Sequence, residues 1–378
     1  MSEGYTVGSG VSGNGRYPRR VAQGTRADDL PRPWGWWLWL LFGLVFGVIG
    51  LLPWLLTGMT LPLQNLWSTD AAPSDMPSAL LPLSQYRLGM IVALIVVGSA
   101  AAGIVARSAH RYLSAGGFWA LTAGVGLVQL TALGQSAFVI GVGLGDGVAS
   151  VAYLAVMVLV VLISMLGGVA VLALIARAPR GGALIGIALV AAAFAQWAAG
   201  IARVIVPSGQ NPIVMQVMVW LPALVVAVAI IWCGVNTVGR VIAAIVALLL
   251  LWISSPLSTA VAAAAGTRVL ARSPYEMADY GVGVFRMALF EVQTVLLPVA
   301  AAIVVAAVGL LVRGLMARSR RRNAPQQYSR EDEVMPFDDR GAFVVGSMGG
   351  VLGTGAIDTV PAESPTEELE YPTRPLGY

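Results

Sequence analysis

The sequence predicts an all-α integral membrane protein, a polytopic bundle of about eight transmembrane helices with both termini in the cytoplasm. Hydrophobic residues make up 57% of the 378 residues and charged residues only 11%, whereas soluble domains carry about 25% charged residues. Eight apolar stretches reach the roughly 20 residues that a helix needs to cross a bilayer. Arginines cluster on one side of these stretches, which predicts the orientation.

The apolar stretches define a transmembrane domain over residues 34–316. The predicted spans are 34–57, 86–107, 117–142, 148–177, 183–206, 213–235, 240–265 and 288–313. Two longer connections, 58–85 and 266–287, lie on the predicted outer side. We expect the second to contain a short interfacial helix around Tyr275–Tyr280.

Polar segments flank this domain. Residues 1–33 are basic and rich in Gly and Ser, while residues 317–378 open with ARSRRRN and end in the acidic stretch ESPTEELEYPTRPLGY. Low hydrophobicity with mixed charge is typical of disorder, so both segments are predicted to be disordered cytoplasmic tails. The first is not a signal peptide, because the apolar stretch that follows it is itself long enough to span.

Arginine provides all 23 Lys/Arg side chains, a usage typical of a high-G+C bacterial genome. With the N-terminus inside, fifteen arginines fall on the inner side and five on the outer side. Positively charged connections stay in the cytoplasm. The chain is therefore predicted to form four hairpins that each end in an inner arginine: Arg107, Arg177, Arg240 and Arg313.

Several classes of chemistry lack their usual residues. The chain has one cysteine, Cys233, and one histidine, His110, so neither a disulfide framework nor a His-rich or Cys-rich metal site is expected. No HExxH, GxSxG, Walker or CxxC motif occurs. We predict no catalytic residue, no cofactor and no metal. The high pI of about 9.5 indicates contact with anionic lipids, at Arg318–Arg322, rather than with nucleic acid.

The first predicted helix carries two packing signals. Its tryptophans, Trp34, Trp36, Trp37, Trp39 and Trp54, are typical of aromatic belts at the two membrane interfaces. Gly43 and Gly47 form a small-xxx-small pattern that allows another helix to approach closely. We expect that contact within one subunit, with self-association as the alternative.

The seventh predicted helix contains a candidate hinge at Ser254, Ser255 and Pro256. Proline frees a backbone carbonyl that a hydroxyl can bond again, and transporters use broken helices of this kind at their binding sites. A simple kink with local hydroxyl bonds is the favoured interpretation. Four glutamines, at positions 129, 135, 196 and 216, are predicted to be buried and bonded between helices.

Ionisable residues gather at the predicted outer interface, as a candidate polar or ion-pair site of Arg87, Arg203, Arg286 and Glu291. Arg286 and Glu291 are five residues apart and cannot pair on one helix. We expect Glu291 to face the bundle with Thr294 and Pro298, and to pair with Arg203 or Arg87. An ion pair between hairpins is favoured over a substrate site.

Two further pairs of residues lie outside the predicted helices. Asp70 and Asp75 occupy the first outer connection, where polytopic sugar transferases keep essential acids, although two acids in a Pro/Ser-rich loop are ordinarily solvated. Thr366 and Thr373 lie beside acids and prolines, a context that suits phosphorylation or docking of a membrane or cytoplasmic protein.

Three functions are compatible with these observations. The first is a non-enzymatic scaffold or assembly factor of the bacterial inner membrane, acting in cell-envelope biogenesis or division. The second is a transporter or flippase for a lipid or envelope precursor, with an outer polar site. The third and weakest is a membrane glycosyl or acyl transferase that uses Asp70 or Asp75. The missing midplane charges disfavour ion-driven transport.

Overall fold

The computed structural model describes residues 33–64, 66–69, 72, 74–114, 116–206, 212–267 and 273–322. These residues form nine α-helices: α1 Trp36–Leu56, α2 Leu88–Ser108, α3 Gly117–Gly143, α4 Val148–Arg177, α5 Arg180–Ile205, α6 Pro212–Cys233, α7 Val238–Gly266, α8 Pro274–Ala288 and α9 Leu297–Arg322. Short 3-10 helices cover Gln85–Arg87 and His110–Tyr112, and a π-helical turn covers Val292–Leu296.

The predicted all-α polytopic bundle is confirmed. In the described part of the chain, eight helices are long and apolar enough to cross a membrane. The last of these spans begins at Val292 rather than at residue 288. The predicted short interfacial helix is longer than expected and forms α8, which packs along α7.

Two of the four core clusters in the described residues are the largest. One joins α1 to α4 through residues such as Leu51, Leu94, Leu133 and Val161. The other joins α5, α6, α7 and α9 through residues such as Leu184, Val226, Ala247 and Ala302. We call the end of the bundle that carries Arg107, Arg177, Arg240 and Arg313 the arginine-rich end. The opposite end is the loop end.

Glycines let α1 approach α3 closely. A Cβ atom added to Gly43 would lie 2.2 Å from the carbonyl oxygen of Leu121 and 2.9 Å from Cα of Gly124. One added to Gly47 would lie 2.8 Å from Cβ of Val128. Both glycines of the small-xxx-small pattern therefore pack against a helix of the same chain.

The aromatic belt describes only part of the tryptophan set. Trp36 and Trp37 are 62% and 57% exposed, but Trp39 is 0% and Trp54 6% exposed, so the latter two pack inside the protein. Trp39 packs beside Trp34, with ring centroids 5.7 Å apart. Helical spacing explains the burial, because Trp39 and Trp54 share the face of α1 that also carries its buried glycines.

The close approach of α1 to α3 can be tested with two glycine substitutions in α3. Gly124→Ala should destabilise the protein by about 1–3 kcal/mol, since overpacking has that cost and the new Cβ would lie 2.4 Å from the carbonyl oxygen of Leu40. Gly126→Ala is the matched control, because nothing lies within 4 Å of a Cβ there. Thermal unfolding in detergent compares the two variants. Equal changes in the thermal stability of the two variants would contradict the close packing of α1 against α3.

Candidate functional site

The four residues of the predicted outer site do not form one site. Arg87 ends the short 3-10 helix before α2, and Arg203 lies near the end of α5. Their charges lie within electrostatic range of each other, and Nε of Arg203 donates to the carbonyl oxygen of Ala199 at 3.1 Å. Neither arginine is paired with Glu291 in the described part of the chain. The predicted ion pair is not seen among the described residues, where two like charges lie near each other instead.

Glu291 lies in a break between α8 and α9 rather than inside a spanning helix. Its carbonyl oxygen accepts from the backbone N–H groups of Val295 and Leu296, at 3.2 and 3.1 Å. Its side chain is exposed, as is that of Thr294, whereas Pro298 is buried. The predicted bundle-facing arrangement fails because the π-helical turn at Val292–Leu296 changes the angular step between residues.

The break between α8 and α9 is stabilised by contacts with α7. The indole N–H of Trp252 donates to the carbonyl oxygen of Leu289 at 3.0 Å, and the Trp252 and Phe290 rings meet edge to face, 6.1 Å apart. This bond provides a partner for a carbonyl at the interrupted end of α8. Arg286, in the last turn of α8, is exposed.

The predicted hinge in α7 is not a break. The helix continues from Val238 to Gly266 through the buried Pro256. Oγ of Ser254 donates to the carbonyl oxygen of Leu251 at 3.1 Å, and Oγ1 of Thr259 donates to that of Ser255 at 3.0 Å. These bonds are local to α7, and the break in helical structure lies instead at the junction of α8 with α9.

The connection between α1 and α2 folds into the bundle. We call residues 57–84 the capping loop. Leu61 is 2% exposed, and Leu81 and Leu83 are 0% exposed. These side chains belong to the same buried cluster as Leu51 and Leu94. The capping loop therefore extends the hydrophobic core of α1–α4 at the loop end, although its sequence is rich in Pro, Ser and Asp.

Side chains of α3 bond the backbone of the capping loop. The backbone N–H of Leu80 donates to Oε1 of Gln135, and that of Leu81 donates to Oγ of Ser136, both at 2.8 Å. Nε2 of Gln135 donates to the carbonyl oxygen of Ser78 at 3.2 Å. Buried backbone groups without partners are costly, so these two side chains allow an irregular segment to lie in the core.

Helices α1 and α4 add further bonds to the capping loop. The indole N–H of Trp54 donates to the carbonyl oxygen of Ala79 at 2.8 Å. Nε2 of Gln64 donates to the carbonyl oxygen of Leu83 at 3.2 Å, and its Oε1 accepts from the Tyr153 hydroxyl at 2.8 Å. The loop is thus bonded by three of the four helices that surround it.

A glycine at the end of α3 makes room for Trp67 of the capping loop. A Cβ on Gly143 would lie 1.8 Å from Cη2 of that indole. The backbone N–H of Ser68 donates to the carbonyl oxygen of Gly143 at 2.9 Å, and that of Gly145 donates to Leu66 at 2.8 Å. The burial of the capping loop was not predicted from the sequence, although the leucines of the loop were a signal for it.

The glutamines divide into two groups. Gln129 is 3% exposed and donates to the carbonyl oxygen of Ile95 and to Oγ of Ser99, at 3.0 and 3.3 Å, which joins α3 to α2. Gln196 and Gln216 are exposed, so their predicted burial is wrong. Gln135 is half-buried and bonds the capping loop.

At the arginine-rich end, Arg107 caps a neighbouring helix. Its Nη1 donates to the carbonyl oxygens of Ile175 and Ala178, both at 2.8 Å, at the end of α4. Its guanidinium carbon lies 5.1 Å from the centre of the Trp232 ring. A cation at the carbonyl end of a helix satisfies free acceptors and complements the helix dipole.

Arg313 of α9 has the same role at α6. Its Nη1 donates to the carbonyl oxygens of Ile231 and Trp232, the second at 3.1 Å. These are carbonyls of the last turn of α6. Both arginines were predicted only as orientation signals. Their capping roles could not be predicted, because their partners are distant along the chain.

The remaining candidate residues are either exposed or outside the described residues. Asp75 is exposed and accepts from the Ser74 hydroxyl at 3.1 Å, while Asp70 lies outside the described residues. Thr366 and Thr373 also lie outside them, as do the side chains of residues 320–322; Arg318 is exposed. In the described ranges, no three His, Cys, Asp or Glu side chains are grouped as a metal site requires.

Comparisons with family models, with curated proteins and with solved structures found no match to this chain. Its function is therefore argued from its own residues. Two features stand out: the closed, hydrogen-bonded capping loop at the loop end, and the arginines at the opposite end.

The bond between α3 and the capping loop can be tested at Ser136, which is 0% exposed. Ser136→Ala should cost about 1–3 kcal/mol, since the Leu81 N–H loses its buried partner. Hydrogen exchange over residues 78–83 should then accelerate about 5-fold to 100-fold. Ser164→Ala is the control, because that hydroxyl donates only within α4, to Val160. Unchanged hydrogen exchange in Ser136→Ala would show that this hydrogen bond does not stabilise the capping loop.

Proposed function

We propose that the protein is a non-enzymatic scaffold or assembly factor of the bacterial inner membrane, acting in cell-envelope biogenesis or division. The capping loop is the observation that carries this proposal. It packs Leu61, Leu81 and Leu83, all at most 2% exposed, against α1–α4 at the loop end. A bundle closed by its own chain suits a rigid platform better than a solute pathway through these helices.

The proposed orientation places both termini in the cytoplasm. It is supported by arginines at the end of α2, the end of α4, the start of α7 and the far part of α9, which all lie at one end of the bundle. Such arginines remain on the cytoplasmic side. The proposed protein partner then binds the C-terminal tail, residues 317–378, and anionic lipids contact Arg318–Arg322.

A lipid or precursor carrier is the second candidate, and the discontinuous helix favours it. Transporters form binding sites where membrane helices are interrupted. Here the interruption lies between Ala288 and Leu297, with the exposed Glu291 beside it. A carrier of this kind would work at the surface of α7–α9, because the capping loop packs against α1–α4 at the loop end.

The scaffold proposal predicts a strong effect of the C-terminal tail. A chain ending at Asn323 should accumulate in the membrane at the normal level but fail to complement a strain that lacks the protein, because its partner-binding segment is missing. Photo-crosslinking from position 366 in the full chain should yield a discrete protein adduct. A chain with residues 324–378 in scrambled order is the matched control and should also fail. Full complementation by the truncated chain would rule out this form of the scaffold proposal.

Glu291 distinguishes the two candidates. Glu291→Gln should leave complementation and membrane level unchanged for a scaffold, because this side chain has no ion-pair partner in the described part of the chain. Arg286→Gln, in the adjacent last turn of α8, is the control for altered surface charge. Loss of function at a normal membrane level in Glu291→Gln alone would favour the carrier.

A further inference from the structure

Charges are segregated between the two ends of the bundle. The described carboxylates all lie in the capping loop, in the turn after α3, in α8 or in the break that follows it: Asp75, Asp146, Glu276, Asp279 and Glu291. Within the described ranges, none lies at the arginine-rich end. That end therefore presents positive charge without a compensating acid from the described chain.

Four arginines of this end act electrostatically on one residue. Arg107, Arg180, Arg240 and Arg313 all lie within electrostatic range of Cys233, the last residue of α6. As described above, Arg107 and Arg313 are engaged in capping helices. The side chains of Arg180 and Arg240 have no hydrogen-bond or ion-pair partner among the described residues.

The two unpaired arginines are held together by helix packing. Arg180 is the first residue of α5, and Arg240 lies in the first turn of α7. A Cβ on Gly181 would lie 3.3 Å from Cβ of Ala243 and 3.6 Å from the carbonyl oxygen of Gly239, so the two first turns touch. The free N–H groups of both turns add partial positive charge at the same place.

An apolar groove begins at Trp232, which precedes Cys233 in the chain and contacts Arg107. It has a volume of about 430 Å³ and is lined by Ile187 of α5 and by Leu224, Val225, Val228, Ala229 and Trp232 of α6. Trp232 ends the groove at the arginine-rich end, where its ring lies under Arg107. From Trp232 to Leu224 the groove follows α6 for roughly 12 Å.

We propose that this composite surface binds an anionic glycerophospholipid. Its phosphate contacts Arg180 and Arg240, and one acyl chain lies along α6 in the groove past Trp232. The site is separate from the lipid contacts predicted at Arg318–Arg322, and it does not depend on the scaffold proposal.

The arginines match the phosphate of such a lipid, and the groove matches its acyl chain. Basic pockets between membrane helices bind lipid phosphates, and guanidinium groups offer several donors in one plane. The groove provides apolar contact immediately next to that charge, which a free anion would not use. Charge complementarity therefore selects an anionic headgroup, and the groove selects a molecule with an acyl chain.

Native mass spectrometry of the full chain in detergent tests this site. Phosphatidylglycerol and phosphatidylcholine with identical acyl chains are titrated separately, and the former should bind more tightly. Arg180→Gln with Arg240→Gln should weaken phosphatidylglycerol binding about thirtyfold. Arg111→Gln with Arg286→Gln removes the same charge from exposed positions outside the cluster and should have little effect.

A groove variant makes the test independent of the arginines. Val228→Trp fills the groove at a side chain that is 62% exposed, whereas Val217→Trp adds the same bulk at a 49% exposed position of α6 outside it. Only the first should reduce phosphatidylglycerol binding. This comparison remains decisive if the double arginine variant does not fold.

Four results would overturn the proposal. Equal affinity for the two lipids would indicate ordinary boundary lipid, and equal loss in both double arginine variants would indicate diffuse surface charge. Displacement of the lipid by an equal concentration of glycerol phosphate would indicate a plain anion site. Binding only after removal of residues 324–378 would identify the acidic tail as the occupant.

Discussion

The close packing of α1 is the constraint on which the described bundle depends. Its glycine face contacts three different helices in succession: Gly43 lies against Gly124 of α3, Gly50 against Gly98 of α2, and Pro53 against Gly200 of α5. Lipid tails are as apolar as leucine, so membrane helices associate chiefly through such close van der Waals packing. A side chain at one of these glycines would separate α1 from its neighbour.

The same face of α1 also connects helix packing to the capping loop. Trp54 follows the glycines at the loop end, and its indole bonds the carbonyl oxygen of Ala79 at 2.8 Å. An irregular backbone at membrane depth is tolerated only where protein satisfies its polar groups. Gln135 and Ser136 supply this from α3, so the position of the loop depends on how closely α1 and α3 approach.

Hydropathy predicted the eight spanning helices because each must present about 20 apolar residues to lipid. Two features escaped prediction for physical reasons. The burial of Leu81 and Leu83 depends on partners from other helices, which no local pattern encodes. The position of Glu291 depends on a π-helical turn, and spacing arguments that assume a regular α-helix fail across it.

These features also restrict where exchange with the membrane could occur. The α1–α4 half is closed by bonded backbone and by leucines at most 2% exposed. The interrupted α8–α9 segment and the groove along α6 lie in the other half, which is built around α5, α6, α7 and α9. Lipid handling at the break or in the α6 groove would take place on the outside of that second half.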